Sequence, residues 1–186
     1  MRVVAGVAGR TKLVAPKGMD TRPTSDMAKE NLFNILAPHV RGARFLDLFC
    51  GSGAIGIEAL SRGADEAVFV ENAKPAIDAT QQNLEKTKLK ADVLAFPVQR
   101  AIDLLESEKR CFDIIFLDPP YETDLLIQTL KHLSKTHLLA ANGLLIAETD
   151  SNFGDIVGVP REFALVDKRN YGRTCFLFYR WAVTAA

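Results

Sequence analysis

Apolar and polar positions change rhythm twice along this chain. The opening stretch, R-V-V-A-G-V-A-G-R-T-K-L-V-A-P, mixes β-branched residues with glycine and cations, which predicts a short hairpin or extended arm and not a helix. Thr24 or Ser25 then offers an N-cap, and Ala28, Leu32, Ile35 and Leu36 recur at the i, i+4, i+7, i+8 spacing of an amphipathic helix that Pro38 should end. From residue 43 the pattern becomes A-R-F-L-D-L-F, E-A-V-F-V-E, A-D-V-L-A-F, F-D-I-I-F-L-D and G-L-L-I-A-E-T, short apolar runs that alternate with polar or helical stretches. Such alternation predicts βαβ units and a mostly parallel sheet covered on both faces. Helices are expected at about 54–62, 74–87, 101–107 and 125–139. The chain closes with F-A-L-V-D-K-R-N and R-T-C-F-L-F-Y-R-W, parted only by Tyr171 and Gly172, the signal of an antiparallel hairpin at one sheet edge.

Composition changes this picture little. The 186 residues are 48% hydrophobic and 25% charged, enough to bury one good core in a single globular unit. No run approaches a membrane span, and the first residues lack the apolar core of a secretory signal, so a cytoplasmic protein is expected. Cys50, Cys111 and Cys175 stand far apart, without metal-ligand spacing, and read as reduced core or near-core residues. His132 and His137 are five apart on an expected helix, which is not a shared metal face, and no metal site is expected.

The formal net charge is zero, yet its distribution is uneven. Up to residue 44 the cations Arg2, Arg10, Lys12, Lys17, Arg22, Lys29, Arg41 and Arg44 face only Asp20, Asp26 and Glu30. That basic end either holds phosphates or is a solvated charged segment.

Candidate chemistry begins at D-L-F-C-G-S-G-A-I-G, Asp47 to Gly56, between an expected strand and an expected helix. Gly51 and Gly53 let backbone approach a ligand closely, and Glu71, at the end of the next strand, is placed to accept hydrogen bonds from ribose hydroxyls. Gly51, Gly53 and Gly56 also satisfy G-x-G-x-x-G, which keeps a dinucleotide open, as does a tight turn with no ligand. Against a dinucleotide, the Asp47 carboxylate would repel a pyrophosphate but suits the ammonium end of S-adenosylmethionine. Phe49, Asn72, Gln99 and Arg100 complete the expected cofactor set.

F-D-I-I-F-L-D-P-P-Y, Phe112 to Tyr121, is the most informative stretch. It puts Asp118, Pro119, Pro120 and Tyr121 at the carboxyl end of a strand, where open α/β sheets bind ligands. If Asp118 and the Pro119 carbonyl accept the two N–H bonds of an exocyclic base amine, its nitrogen is held toward a methyl donor while developing positive charge is stabilised. Tyr121 offers a face for an unstacked base. Tyr171, Arg173 and Lys168 either touch RNA or form the turn, and the turn is the simpler reading.

These motifs together resemble class I methyltransferases of the amino-group type. With R-P-T-S-D-M-A-K-E-N-L-F-N-I-L at Arg22 to Leu36 and R-V-V-A-G-V-A-G-R-T-K-L at the start, nearly the whole chain resembles the RsmD family of 16S ribosomal RNA guanine-N2 methyltransferases. The resemblance implies an α/β Rossmann-like fold, a mostly parallel seven-stranded sheet with an antiparallel C-terminal hairpin. A short N-terminal extension (residues 1–40) would precede the methyltransferase domain (residues 41–186). It implies S-adenosylmethionine as cofactor and 16S rRNA of the small subunit, or its assembly intermediate, as partner. It also implies Arg22 and Thr24 near the cofactor or target base, and Arg10 and Lys12 on an RNA-facing arm; Thr24 is equally read as a helix cap. Where the family commonly has an acid followed by alanine near the adenine, this chain has Gln99, Arg100 and Ala101. An adenine-N6 DNA methylase and a non-catalytic RNA-binding module remain alternatives, and a monomer is the default.

Overall fold

The computed structural model describes residues 1–16, 24–120, 124–153 and 156–183. Among these, seven strands form one sheet: β1 (Arg44–Leu48), β2 (Glu66–Val70), β3 (Asp92–Leu94), β4 (Phe112–Leu117), β5 (Leu139–Asp150), β6 (Phe163–Tyr171) and β7 (Thr174–Trp181). Their order is β3-β2-β1-β4-β5-β7-β6, parallel from β3 to β5 and antiparallel at β7 and β6. The expected Rossmann-like architecture with a closing hairpin is therefore the observed one.

Alternation along the strands divides two cores. Phe45, Phe69, Ile114, Phe116, Ile146, Phe176 and Phe178 point to the face covered by α1 (Asp26–Val40), α2 (Ala54–Ser61) and α3 (Lys74–Thr87). Leu46, Val68, Ile115, Leu117, Leu145 and Leu177 point to the face covered by α4 (Val98–Ser107) and α5 (Leu125–Leu133). A strand covered on both sides gains from an apolar residue at every position, so its sequence reads as a continuous apolar run.

Several boundaries differ from expectation, each for a local reason. Ser25, not Thr24, caps α1 by accepting from the Ala28 N–H at 3.1 Å. Pro38 does not end that helix, which runs on to Val40; the carbonyl deprived of a donor by the proline belongs to exposed Asn34, where water can serve it. Helix α4 begins at Val98, whose buried side chain completes a stripe with Ala101, Ile102 and Leu105. Helix α5 stops at Leu133, six residues before the expected end, as the Thr136 hydroxyl donates to the Leu133 carbonyl at 2.9 Å. The next apolar residues are drawn into pairing with β4: the Leu138 carbonyl accepts from the Phe112 N–H at 2.7 Å, and an irregularity absorbs the extra residues between Leu139 and Leu144. In the closing hairpin Tyr171 pairs with Thr174, which moves the turn to Gly172 and Arg173, with Gly172 at a φ of 61°.

The N-terminal arm is an irregular hairpin with an antiparallel bridge between Arg2 and Lys12. Backbone N–H groups of Val4 and Ala5 donate to the two oxygens of Glu58, at 2.7 and 3.0 Å. Glu58 also pairs with Lys29 at 3.3 Å and Arg62 at 2.7 Å, while Glu58 and Lys29 are almost fully buried. Lys29 donates in addition to the Arg2 carbonyl. Lys29 therefore neither serves as a phosphate ligand nor lies in a solvated segment, the two readings of the basic end. Arg44 is likewise committed, in a bidentate pair with Asp113 at 2.9 and 3.0 Å.

Candidate active site at the carboxyl ends of the strands

The parallel strands end along one edge of the sheet, and the candidate residues gather there. After β1, Phe49 takes a φ of 67°, strained for a bulky residue, and Gly51 and Gly53 take 55° and 75°. A Cβ at Gly51 would meet no heavy atom within 4 Å, so the backbone here faces open space in which a ligand can lie against it. At Gly56 the reason is packing: a Cβ there would stand 2.0 Å from Phe69 Cε1, so the glycine seats α2 directly on β2.

The loop is held from three sides. Thr80 Oγ1 donates to the Gly51 carbonyl at 2.8 Å, and Asn83 Nδ2 to the Ser52 carbonyl at 2.9 Å, both from α3. Glu71 Oε2 accepts from the Gly51 N–H at 3.0 Å, while its Oε1 accepts from the N–H groups of Asn72 and Ala73, each at 2.9 Å. This carboxylate thus spans the glycine loop and the start of α3. With about four acceptor sites on a carboxylate, it retains room for one more donor.

Asp47 is buried beneath the loop, and its Oδ2 accepts from the Gly56 N–H at 3.0 Å, tying β1 to the first turn of α2. Burial pushes its carboxyl up to about 8, opposed by the Gly56 hydrogen bond and reinforced by the charges of Glu71 and Glu148. The arrangement favours a cationic ligand group near these acids.

Asp118 and Pro119 follow β4, directly beside the glycine loop of β1, with Asp118 half-buried, Pro119 buried and Pro120 exposed. Tyr121 and Arg22 lie outside the described residues. Thr24 reaches the site: its Oγ1 donates to Glu148 Oε2 at 2.7 Å. Glu148 was missed by sequence reasoning. It lies one position beyond Ala147, the register partner of Leu117, and so stands level with Asp118. A carboxylate at the close of an apolar strand, G-L-L-I-A-E-T, was the available signal.

Gln99 and Arg100 occupy the first turn of α4, beyond β3. Arg100 is exposed and lies 4.4 Å over the Phe96 ring centroid, while Gln99 is half-buried. Arg10 and Lys12 are exposed on the arm, which Val14 and Asn83 join to the glycine loop.

Other candidates fall away from this edge. Cys50 is buried under the loop, its thiol pushed up by burial, which suits a structural role and not a nucleophile. His132 and His137 each bond one carboxylate of α4, Asp103 and Glu106, both at 2.8 Å. Among the described residues no group of three histidines, cysteines or acids could hold a metal, and no helix is long and apolar enough to cross a membrane. A concavity of about 840 Å³ is lined by residues such as Glu66, Lys88 and Asp92 at the opposite edge of the sheet, remote from the chemistry.

A family model described as Conserved hypothetical protein 95 matches residues 1–180. YlbH of Bacillus subtilis (strain 168) is 36% identical over 182 residues, covering 97% of this chain and 98% of that protein. Ribosomal RNA small subunit methyltransferase D of Haemophilus influenzae is 32% identical over 182 residues, covering 97% of this chain and 93% of that protein. Among solved structures, a protein of Thermus thermophilus matches with a TM-score of 0.84 at 30% identity, covering 97% of this chain and 99% of that one.

Proposed function

Because this chain belongs to the RsmD family of ribosomal RNA small subunit methyltransferases, we propose that it methylates the exocyclic N2 of one guanine in 16S rRNA. It is an S-adenosylmethionine-dependent rRNA methyltransferase; the base and the atom are the narrower part of the reading. The observation that carries it is the placement of Asp118 and Pro119 at the end of β4, immediately beside a glycine loop open to a ligand.

The cofactor residues fit the group. Gly51 leaves backbone bare for close approach, Glu71 keeps acceptor capacity, and the neighbouring acids Asp47 and Glu148 favour a cation beside the loop. When bound, S-adenosylmethionine supplies an electrophilic methyl group on a sulfonium centre. The chain's own work is done around the amine. An exocyclic amino nitrogen is a poor nucleophile because its lone pair is delocalised into the ring. The Asp118 carboxylate and the Pro119 carbonyl accept its two N–H bonds, hold it in line, and stabilise positive charge as it develops. Burial of Pro119 and the fixed φ of the two prolines keep that carbonyl rigid. The proton leaves to Asp118 or to water. In this reading Tyr121 stacks on the extruded base, Arg10, Lys12, Arg22 and Thr24 guide the RNA, and one chain acts alone in the cytoplasm on the small subunit or its assembly intermediate.

The deciding experiment is transfer of labelled methyl to small subunits from cells lacking this protein, with naked 16S rRNA, DNA and protein fractions alongside. Label in N2 of a single guanine is the expected result. Label in adenine, DNA or protein would sink the substrate assignment.

A further inference from the structure

The sheet order brings three cations of the closing hairpin to the catalytic edge. Glu71 and Asp47 close β2 and β1 on the cofactor side, and Asp118 stands at the centre. Beyond it come β5, β7 and β6, and the turn joining the last two lies on this same edge, because Asp150 at the end of β5 pairs with Thr174 at the start of β7. Strand β5 continues past Ala147, the partner of Leu117, through Glu148 and Thr149 to Asp150. At about 3.3 Å per residue the hairpin tip rises about 10 Å above the end of β4, and at about 4.8 Å per strand it stands about 10 Å to its side.

That raised tip is cationic. Its sequence, D-K-R-N-Y-G-R-T, holds Lys168, Arg169 and Arg173 against Asp167 and, from the end of β5, Asp150. Arg173 is 65% exposed, and its Nε and Nη2 both donate to Oδ2 of Asp150, a carboxylate only 6% exposed. Arg169 is 55% exposed, with its Nε on Asp167 Oδ2 at 2.9 Å. Each guanidinium is thus oriented from one side by a less exposed acid. Of its five N–H donors, Arg173 uses two in this way and Arg169 one. The remainder are in the planar arrangement that matches a phosphate. Ser151 fixes the turn further, its N–H donating to the Arg173 carbonyl at 2.8 Å and its hydroxyl to the Gly172 carbonyl at 3.1 Å.

We propose that the β6–β7 turn is a second RNA-binding element, in which Arg169 and Arg173 hold backbone phosphates of the strand flanking the target base. The inference rests on the rRNA methyltransferase reading above. An RNA backbone delivering a base to Asp118 passes within reach of the N–H donors that these two guanidinium groups leave unused. The simpler reading, that these residues only make the turn, accounts for Gly172 and Tyr171; it does not account for two oriented, exposed arginines at the tip.

The test measures affinity for small ribosomal subunits over a range of salt concentrations for the wild type, Arg169→Gln/Arg173→Gln and Arg169→Lys/Arg173→Lys. The glutamine pair is expected to bind at least tenfold more weakly, with the slope of log affinity against log salt reduced by about two. The lysine pair should recover most of that slope, and both should bind S-adenosylhomocysteine within twofold of wild type, which certifies the fold. Methyl transfer should show a raised KM for subunits with kcat within twofold. Unchanged affinity of the glutamine pair, with the wild type binding normally, overturns the inference and leaves the functional reading standing. Weaker binding at an unchanged salt slope would assign the tip to a ribosomal protein and overturn it as well. A wild type that fails to bind subunits at all overturns both.

Discussion

Asn83 holds Val14 by both of its backbone polar groups: Oδ1 accepts from the Val14 N–H at 2.8 Å and Nδ2 donates to the Val14 carbonyl at 3.0 Å. The second Nδ2 hydrogen goes to Ser52 in the glycine loop. One fully buried side chain therefore fastens the N-terminal arm and the candidate cofactor loop to α3 together.

Asn83→Ala should loosen both at once. Leaving buried backbone groups without partners costs about 1–3 kcal/mol each, and partial access of water to the arm brings the expected loss to about 3 kcal/mol. A lower urea midpoint at unchanged slope checks the stability. Faster amide exchange at Val14, accompanied by weaker S-adenosylhomocysteine binding, checks the shared role; a change in one without the other would separate them.

Glu58 anchors the arm from the other side. Glu58→Ala leaves Lys29 charged and buried without its partner, a change worth about 3–5 kcal/mol. Attraction to Glu58 already fails to offset burial, which lowers the Lys29 ammonium from its ordinary value. Glu58→Gln/Lys29→Met should accordingly be more stable than Glu58→Gln alone. Chemical denaturation of the set measures this, and a double variant no better than the single would show that the lysine charge is not the source of the loss.

Asp118→Ala removes one of the two proposed acceptors for the amine. Methyl transfer should fall by about 10²–10³-fold, the range found when one preorganised charge-stabilising group is deleted. Cofactor affinity should fall only modestly, because the loop contacts run through Glu71, Thr80 and Asn83. Single-turnover transfer beside equilibrium binding separates the two effects, and full activity in the variant would exclude the mechanism.

Asp47 should make the candidate site sensitive to pH. Its folded-state carboxyl, near 8, lies above the ordinary value of 3.8, so the native chain holds a proton there that the unfolded chain has already released. This group's contribution to stability therefore falls as pH rises from about 4 to about 8 and is flat beyond. Binding of a cationic ligand favours the ionised form, so affinity for S-adenosylmethionine should rise between pH 6 and 7.5, by at most about tenfold per unit. Asp47→Asn should flatten that profile. Calorimetric titration at several pH values provides the check.

The sheet and its helices were legible because buried parallel strands must be apolar throughout and the helices between them amphipathic. The glycine loop and the D-P-P segment were legible for a related reason: few residues tolerate a φ of 55° or 75° or freeze a strand end. What stayed hidden depended on pairing across long separations. Nothing near Lys29 in sequence announces Glu58, and nothing near Thr24 announces Glu148, 124 positions away. The end of α5 was misplaced because Leu138 and Leu139 suit a helix as well as a strand, and pairing with β4 decides between them.

The ion pairs that occupy Lys29 and Arg44 also shape how this molecule finds its target. A charge buried against its partner, as in Lys29, does not draw in passing polyanions, and the net charge is zero. Sliding along nucleic acid requires a continuous cationic track, and these pairs take two cations of the N-terminal end out of any such track. Its search is then one of free diffusion and brief collisions. On the reading proposed above, wrong encounters are released quickly and dwell time grows only where the arm and the β6–β7 turn meet their contours together, so the folded state of the RNA itself becomes the signal that is read.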